Sequence, residues 1–528
     1  MKNSKKITAN LLALTLASTM AGAEVYDLNQ VLNITLEHAP EILQKQAEVE
    51  GNEAAIKIQT GQFDHNVFTT YKSGINDFPV ISYNQATSLG LTHLQSYQHL
   101  MQAGILKKFR TGISAEFDVN IFRKDPLNGD AIFNGKDGRP ILSTSNESNV
   151  NFTLNVPLLK GATIESVAAA ENATTLQYEA SKNNLTFLMS SIALNSINAY
   201  WNYKIAEETL EINRASEKRI QDWTTEAEGI FIKKDAAHIK EAEEKYFVEI
   251  QAAKAYLANK HLNVIASIQE LEQARVALFM AIGTPYSDFN QIKISNEKLP
   301  KFTAVSLKSN QLNKNWVLQA IANRTDLKAM NLFQEANSVM VKKYERDLLP
   351  QLDVTLNAGY QGLSEGSNST TFGSALYRNT PGPNLSGQIG FAYPLENNTQ
   401  EGLLKKQEMS KRQTAIEIGQ LERSISATLD VDVSLLDRYM ITKDMAEKAI
   451  SFYQPTVNNL AKQTMKDGHT MLFLLQYETS LVSSMISKLQ VESALAKLVA
   501  SVRHHTGTLI ISSADAGQFI DMNGLRNF

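Results

Sequence analysis

The chain has 528 residues, 43% hydrophobic and 20% charged, with a formal charge of −4 and no cysteine. A mildly acidic chain argues against nucleic acid as a partner. Without cysteine there is no disulfide framework, no thiolate metal site and no thiol nucleophile.

Lys2, Lys5 and Lys6 precede an apolar run from Ile7 to Ala17, followed by Ala21-Gly22-Ala23. That is the pattern of a secretory leader over residues 1–23 with a small-residue cleavage site. Its removal takes three lysines and no acid, moving the formal charge from −4 to −7. No later stretch is continuously apolar for the ~18 residues a membrane helix needs. An exported chain of this kind is periplasmic, secreted, or an outer-membrane β-barrel.

Leu28–Gln62 has apolar residues at helical spacing, with a second segment starting at Pro40. Asn66–Ile75 reads as a strand whose alternation Phe68 breaks. Asn76–Ser148 is mixed. Within it Gly112–Phe122 alternates cleanly, while Asp125–Ser148 is rich in Gly, Asn, Asp and Ser and reads as loop. This insertion is expected to make an extra hairpin or two, inside a barrel or above it. In the next strand Val150, Phe152, Leu154 and Val156 alternate with Asn149, Asn151, Thr153 and Asn155. One face is wholly apolar and the other wholly polar. A soluble sheet packed on a core gives this pattern, and so does a membrane barrel with lipid outside and a wet lumen inside.

Helix follows from about Thr163 to Glu228, with two apolar seams, one through Leu188, Ile192 and Ala199 and one through Leu194, Trp201 and Ile205. Two seams mean neighbours on two sides, as in a helical barrel or a multi-helix bundle. Gly229 and the run Lys233-Lys234-Asp235 mark a turn, with Asp235 a candidate helix N-cap. Helix resumes over Ala236–Ala281 and stops at Gly283-Thr284-Pro285. Asp288–Asn313 is weakly patterned. Trp316–Asp347 is helix, and Gln351–Tyr360 is a second clean strand carrying Leu352, Val354 and Leu356. A polar loop over Gln361–Asn384 leads to a short strand with Ile389 and Phe391, then helix over Gly402–Met465. Gly468 and His469 mark a turn, Met471–His505 is helix, and Thr506–Phe528 is irregular.

The two halves read alike: helix, strand, loop, strand, long helix, glycine turn, helix. The domain order is therefore leader, first repeat over 24–285, linker over 286–314, second repeat over 315–506 and tail over 507–528. Thr163–Glu228 alone would span ~100 Å.

Several pieces of this order resemble the outer membrane efflux proteins, the TolC-like outer membrane factors. They are Ala39-Pro40-Glu41-Ile42, Val156-Pro157-Leu158-Leu159-Lys160-Gly161, Leu278–Pro285, Ala322-Asn323-Arg324-Thr325-Asp326-Leu327, Leu349-Pro350-Gln351-Leu352 and Tyr393-Pro394-Leu395. The resemblance covers nearly the whole mature chain. It implies a mainly α chain with a membrane β-barrel. Three copies would share one barrel, four strands from each, on a long α-helical barrel. It also implies outer-membrane localisation with a periplasmic extension, and a periplasmic adaptor and an inner-membrane pump or ABC transporter as partners. The function implied is a passive exit duct in tripartite efflux or type I secretion. Four strands cannot close a barrel alone, and open edges are not viable in lipid, so oligomerisation is also a physical requirement. The competing reading is a periplasmic coiled-coil adaptor or structural protein with a small soluble β-domain.

No catalytic constellation, metal site or cofactor motif is present in the sequence, and no enzyme is expected. His504-His505 reads as a surface pair, and Asp430, Asp432 and Asp437 as a solvated helical side. By the resemblance, the two turns (Gly229, Lys233 and Asp235; Gly468 and His469) would dock the adaptor, and the helix past Gly468 would form the constriction. Family members often carry acids six and nine places after that glycine; here Leu474 and Tyr477 stand there, with Glu478 beside them. A ring of Leu474 side chains would close a bore by dewetting. The alternative is that Leu472, Phe473, Leu474 and Leu475 all pack helices. The residues expected to face lipid are Val150, Phe152, Leu154, Leu352, Val354, Leu356, Ile389 and Phe391.

Overall fold

The computed structural model describes residues 25–81, 92–127, 144–235, 240–283, 293–295, 309–376, 382–467, 471–513 and 517–520. The leader, Gly468 and His469 lie outside them. The chain forms two units. One comprises Met1–Val49, Ser181–Met330 and Glu417–Phe528; the other comprises Glu50–Ala180 and Asn331–Ile416.

The first unit is helical. After a two-residue strand β1 (Val25–Tyr26), α1 (Leu28–His38) starts at a capping box. There the Asp27 side chain accepts from Gln30 N at 2.8 Å, and Gln30 Oε1 accepts from Asp27 N at 2.9 Å. Pro40 opens α2 (Pro40–Thr60), where a missing N–H costs nothing. Further on come α4 (Ala169–Asp235), which begins in the second unit together with the short α3 (Ile164–Val167), and α5 (Lys240–Ile282). A short β6 (Lys293–Ile294) pairs in parallel with β1. Then follow α6 (Ser309–Asn323) and α7 (Thr325–Asp347). The last two long helices are α9 (Asn398–Asp467) and α10 (Met471–His505). The main core gathers Leu32, Ile42, Ile197, Tyr200, Leu278, Ile282 and Leu495, all nearly inaccessible to solvent. The tail expected to be irregular instead closes with a hairpin, β9 (Ile510–Ser513) against β10 (Gly517–Ile520).

The second unit holds one antiparallel sheet. Its strands are β2 (His65–Pro79), β3 (His93–Lys108), β4 (Ser114–Pro126), β5 (Ser145–Pro157), β7 (Gln351–Glu365) and β8 (Gly382–Ala392). They lie side by side in that order, with β2 and β8 at the edges. A short helix α8 (Ser369–Ser374) lies in the β7–β8 connection. Among the described residues the sheet has six strands, two more than the four per chain that the resemblance implies for a barrel. Gly112–Phe122 enters the sheet as β4, and β3 is a strand the sequence did not announce.

Candidate functional site

The sheet is built from the register upward. Leu154 lies opposite Ala115 and Leu356, Phe152 opposite Phe117 and Ala358, and Val150 opposite Val119 and Tyr360. On β7, Leu352 lies opposite Phe391 and Val354 opposite Ile389. All eight strand residues expected to face lipid therefore share one face. Side chains at matched positions in an antiparallel ladder point the same way. That face is the accessible one: Phe152 is 45% exposed, Leu356 49%, Phe391 69% and Ile389 74%, with the other four half-buried. The opposite face carries Asn149, Asn151, Thr153, Asp353, Thr355 and Asn357. There Asp118 is only 6% exposed, and the Nδ2 groups of Asn120 and Asn151 reach it at 2.5 and 3.4 Å. A sheet of a soluble domain hides its apolar face; this one hides polar groups and displays apolar ones.

The apolar run from Leu352 to Tyr360 covers ~27 Å along the strand. Beyond it the same face turns polar. Asn146 Nδ2 donates to Ser364 O and Gly366 O at 3.3 and 3.0 Å, and Arg123 Nη2 donates to Ser367 O at 3.1 Å. These bonds fix the start of the β7–β8 connection just past the belt.

The helical positions singled out by sequence fare differently. Helix α4 runs straight through Gly229 to Asp235, so Gly229 is a helical residue and not a turn. Asp235 closes α4, which corrects its reading as an N-cap. Glycine costs only about 1 kcal/mol within a helix, which a 67-residue element absorbs. Lys233 lies in the same last turn of α4.

Leu474 is 0% exposed and packs with Ile220, Ala253, Val457, Met471, Leu475 and Leu481. This corrects the gate expectation: helix packing holds Leu474. The start of α10 instead displays Leu472, Phe473 and Tyr477. Glu478 is also fully buried. Arg219 of α4 donates to its Oε1 from Nη2 at 2.6 Å and from Nε at 3.1 Å, while Oε2 has no hydrogen-bond partner among the described residues. Buried Lys260 of α5 stands close enough to feel that carboxylate. Desolvation lowers the Lys260 pKa, and Glu478 opposes the shift.

The histidine pair is also not a surface feature. His504 is buried, with Nδ1 2.8 Å from Ser190 Oγ and its ring against Phe187, whose other contact is the Arg324 guanidinium. Burial first, and then the neighbouring His505 and Arg324, push the His504 pKa down to about 4. His505 Nδ1 lies 2.6 Å from Asp432 Oδ2. Asp432 is buried and Asp430 accepts from Asn313 Nδ2 at 2.9 Å, so of the three acids Asp437 alone remains on an exposed side without such a tie among the described residues. Among the described residues no helix is long and apolar enough to cross a membrane.

No family model matches the chain, and no curated protein does. Solved structures do match. The outer-membrane channel OprN superposes with a TM-score of 0.60 at 14% identity, over 91% of this chain and 90% of that one. The outer membrane protein VceC from Vibrio cholerae gives a TM-score of 0.59 at 14% identity, over 91% and 96%. The CmeC outer membrane channel of Campylobacter jejuni gives 0.57 at 12% identity, over 91% and 85%. The chain has the fold of these outer-membrane channels, the fold of the TolC-like outer membrane factors.

Proposed function

We propose that the protein is an outer-membrane exit duct that works passively with an inner-membrane pump or ABC transporter and a periplasmic adaptor. One observation carries this reading: an antiparallel sheet with its apolar face exposed, its polar face hidden and, among the described residues, both edges unpaired. Lipid satisfies the apolar face. Pairing with further copies satisfies the edges, and a wet lumen satisfies the polar face. Three copies make the ring, as the family resemblance implies. The length of α4, ~100 Å, suits a conduit that continues into the periplasm. The helix ends after Asp235 and around residue 468 would receive the adaptor. A constriction on α10 would use its displayed side chains, Phe473 and Tyr477, since Leu474 is occupied in packing.

The competing reading, a soluble adaptor, leaves the apolar belt facing water. The test is purification of the full-length protein. A duct stays in the membrane fraction, needs detergent, runs as a trimer and forms discrete pores in planar bilayers. A monomer in detergent-free buffer after leader removal would refute the proposal.

A further inference from the structure

We infer that the inserted hairpin β3–β4 is itself barrel wall. Each copy then supplies six strands, and three copies close an eighteen-stranded barrel in place of the twelve that four strands per copy would give. The inference rests on the exit-duct reading and concerns the size of its pore.

Four observations carry it. First, the hairpin is hydrogen-bonded into the sheet along its length. Ser114–Lys124 pairs with Asn155–Ser145 of β5, and Lys108–Ser96 pairs with Ser114–Pro126. A hairpin laid over a barrel mouth would not be in register with the wall.

Second, it repeats the inverted pattern. Tyr97, Met101, Ile105 and Phe117 share the face of Phe152 and are 38–49% exposed. Gln98, Gln102, Glu116, Asp118 and Asn120 share the other face and are less accessible, with Leu100, Leu106 and Phe122 among them. Phe68 of β2 also lies on that inner face, over Gly104, where a Cβ would stand 2.7 Å from the ring.

Third, the tip is anchored where strands pass into helices. Arg110 donates to both carboxylate oxygens of Glu171, from Nε at 2.7 Å and Nη2 at 2.6 Å, and its guanidinium lies over the Phe63 ring at 4.8 Å. This puts a tight turn at the helix-linked end, while the β2–β3, β4–β5 and β7–β8 connections are longer and leave the other end. Outer-membrane barrels divide short turns from long loops in this way.

Fourth, six is even. In an all-antiparallel sheet of six, β2 and β8 run in opposite directions. The free edge of β2 in one copy therefore meets that of β8 in the next as an antiparallel pair, with both apolar faces outward. Adding a hairpin preserves this parity; adding one strand would destroy it.

Barrel diameter grows about linearly with strand number. At ~4.8 Å per strand and the usual tilt, eighteen strands give ~36 Å between opposite backbones and twelve give ~24 Å.

The cysteine-free chain makes the test clean. Single cysteines in the full-length protein would carry an environment-sensitive fluorophore in vesicles with or without brominated lipid. Phe152→Cys and Leu356→Cys report the strands flanking the helices. Met101→Cys and Phe117→Cys report the hairpin's outer face, and Gln102→Cys and Glu116→Cys its inner face. The expected result is loss of about half the fluorescence at all four outer positions and little at the inner two, following strand alternation. Quenching at Phe152 and Leu356 but not at Met101 and Phe117 would leave the duct intact and overturn the six-strand wall. Absence of quenching at every position would overturn the duct reading and the inference with it. Electron microscopy of the protein in lipid discs gives an independent measure: a barrel of ~36 Å supports the inference and one of ~24 Å refutes it.

Discussion

Glu478 is the residue whose environment says most about how the helices hold together. A carboxylate with no solvent contact depends on Arg219. Arg219 is itself 38% exposed, but its removal strands the buried Glu478 charge, which is destabilising. Arg219→Ala is therefore expected to lower the thermal midpoint sharply, and Arg219→Ala with Glu478→Gln to recover most of the loss; a thermal double-mutant cycle measures this. His504 gives a pH signature. Its folded pKa of about 4 lies below the ordinary 6.5, so the fold favours the neutral ring. This contribution is complete above pH 6.5 and is lost as pH falls toward 4. The loss amounts to about 2 kcal/mol by pH 5. Thermal scans at pH 7 and 5 should show a smaller drop for His504→Gln than for the native chain. Neither environment was legible in sequence. Around Leu474 the helix is apolar on successive positions, so periodicity cannot choose which side faces a neighbour. Two adjacent histidines at a helix end carry no pattern at all, and Phe187 and Ser190, which enclose His504, are remote in sequence.

At the level of elements, legibility followed alternation. β5 and β7 announce themselves because every other residue is apolar. β3 did not, because Leu94, Leu100 and Leu106 sit on its inner face while His93, Gln95 and His99 sit on its outer one. Both faces mix, and the period-two signal cancels. The long helices were placed correctly to within several residues, and their overrun past Gly229 reflects how little one glycine matters in an element held by its neighbours. The turn joining β3 to β4 has a stricter requirement. Gly112 has φ +92°, and a Cβ there would fall 1.9 Å from Gly161 O. Strain and clash together should cost more than 1 kcal/mol. Gly112→Ala is thus expected to lower the melting temperature of the sheet, followed by circular dichroism, whereas Gly51→Ala, on an open helical surface, should raise stability slightly.

For the molecule as a whole, sequence conveyed the kind of fold but not the number of strands in its sheet. The mixture of very long helices with inverted strands pointed to a channel fold. The strand count depended on an insertion whose pairing is set by long-range register, which local pattern does not encode. The open edges of the sheet have a genetic consequence. In the proposed three-copy ring every junction must close, so one defective subunit would spoil the whole assembly. A proline at Thr69 or Thr70, whichever N–H points away from β3, should block one junction while sparing the rest of the strand. Co-expressed in equal amounts with native chain, such a subunit should leave only about one ring in eight intact for random mixing of three. Export measured in such cells would then fall far below half. The allele would be dominant, although the chain it encodes folds normally.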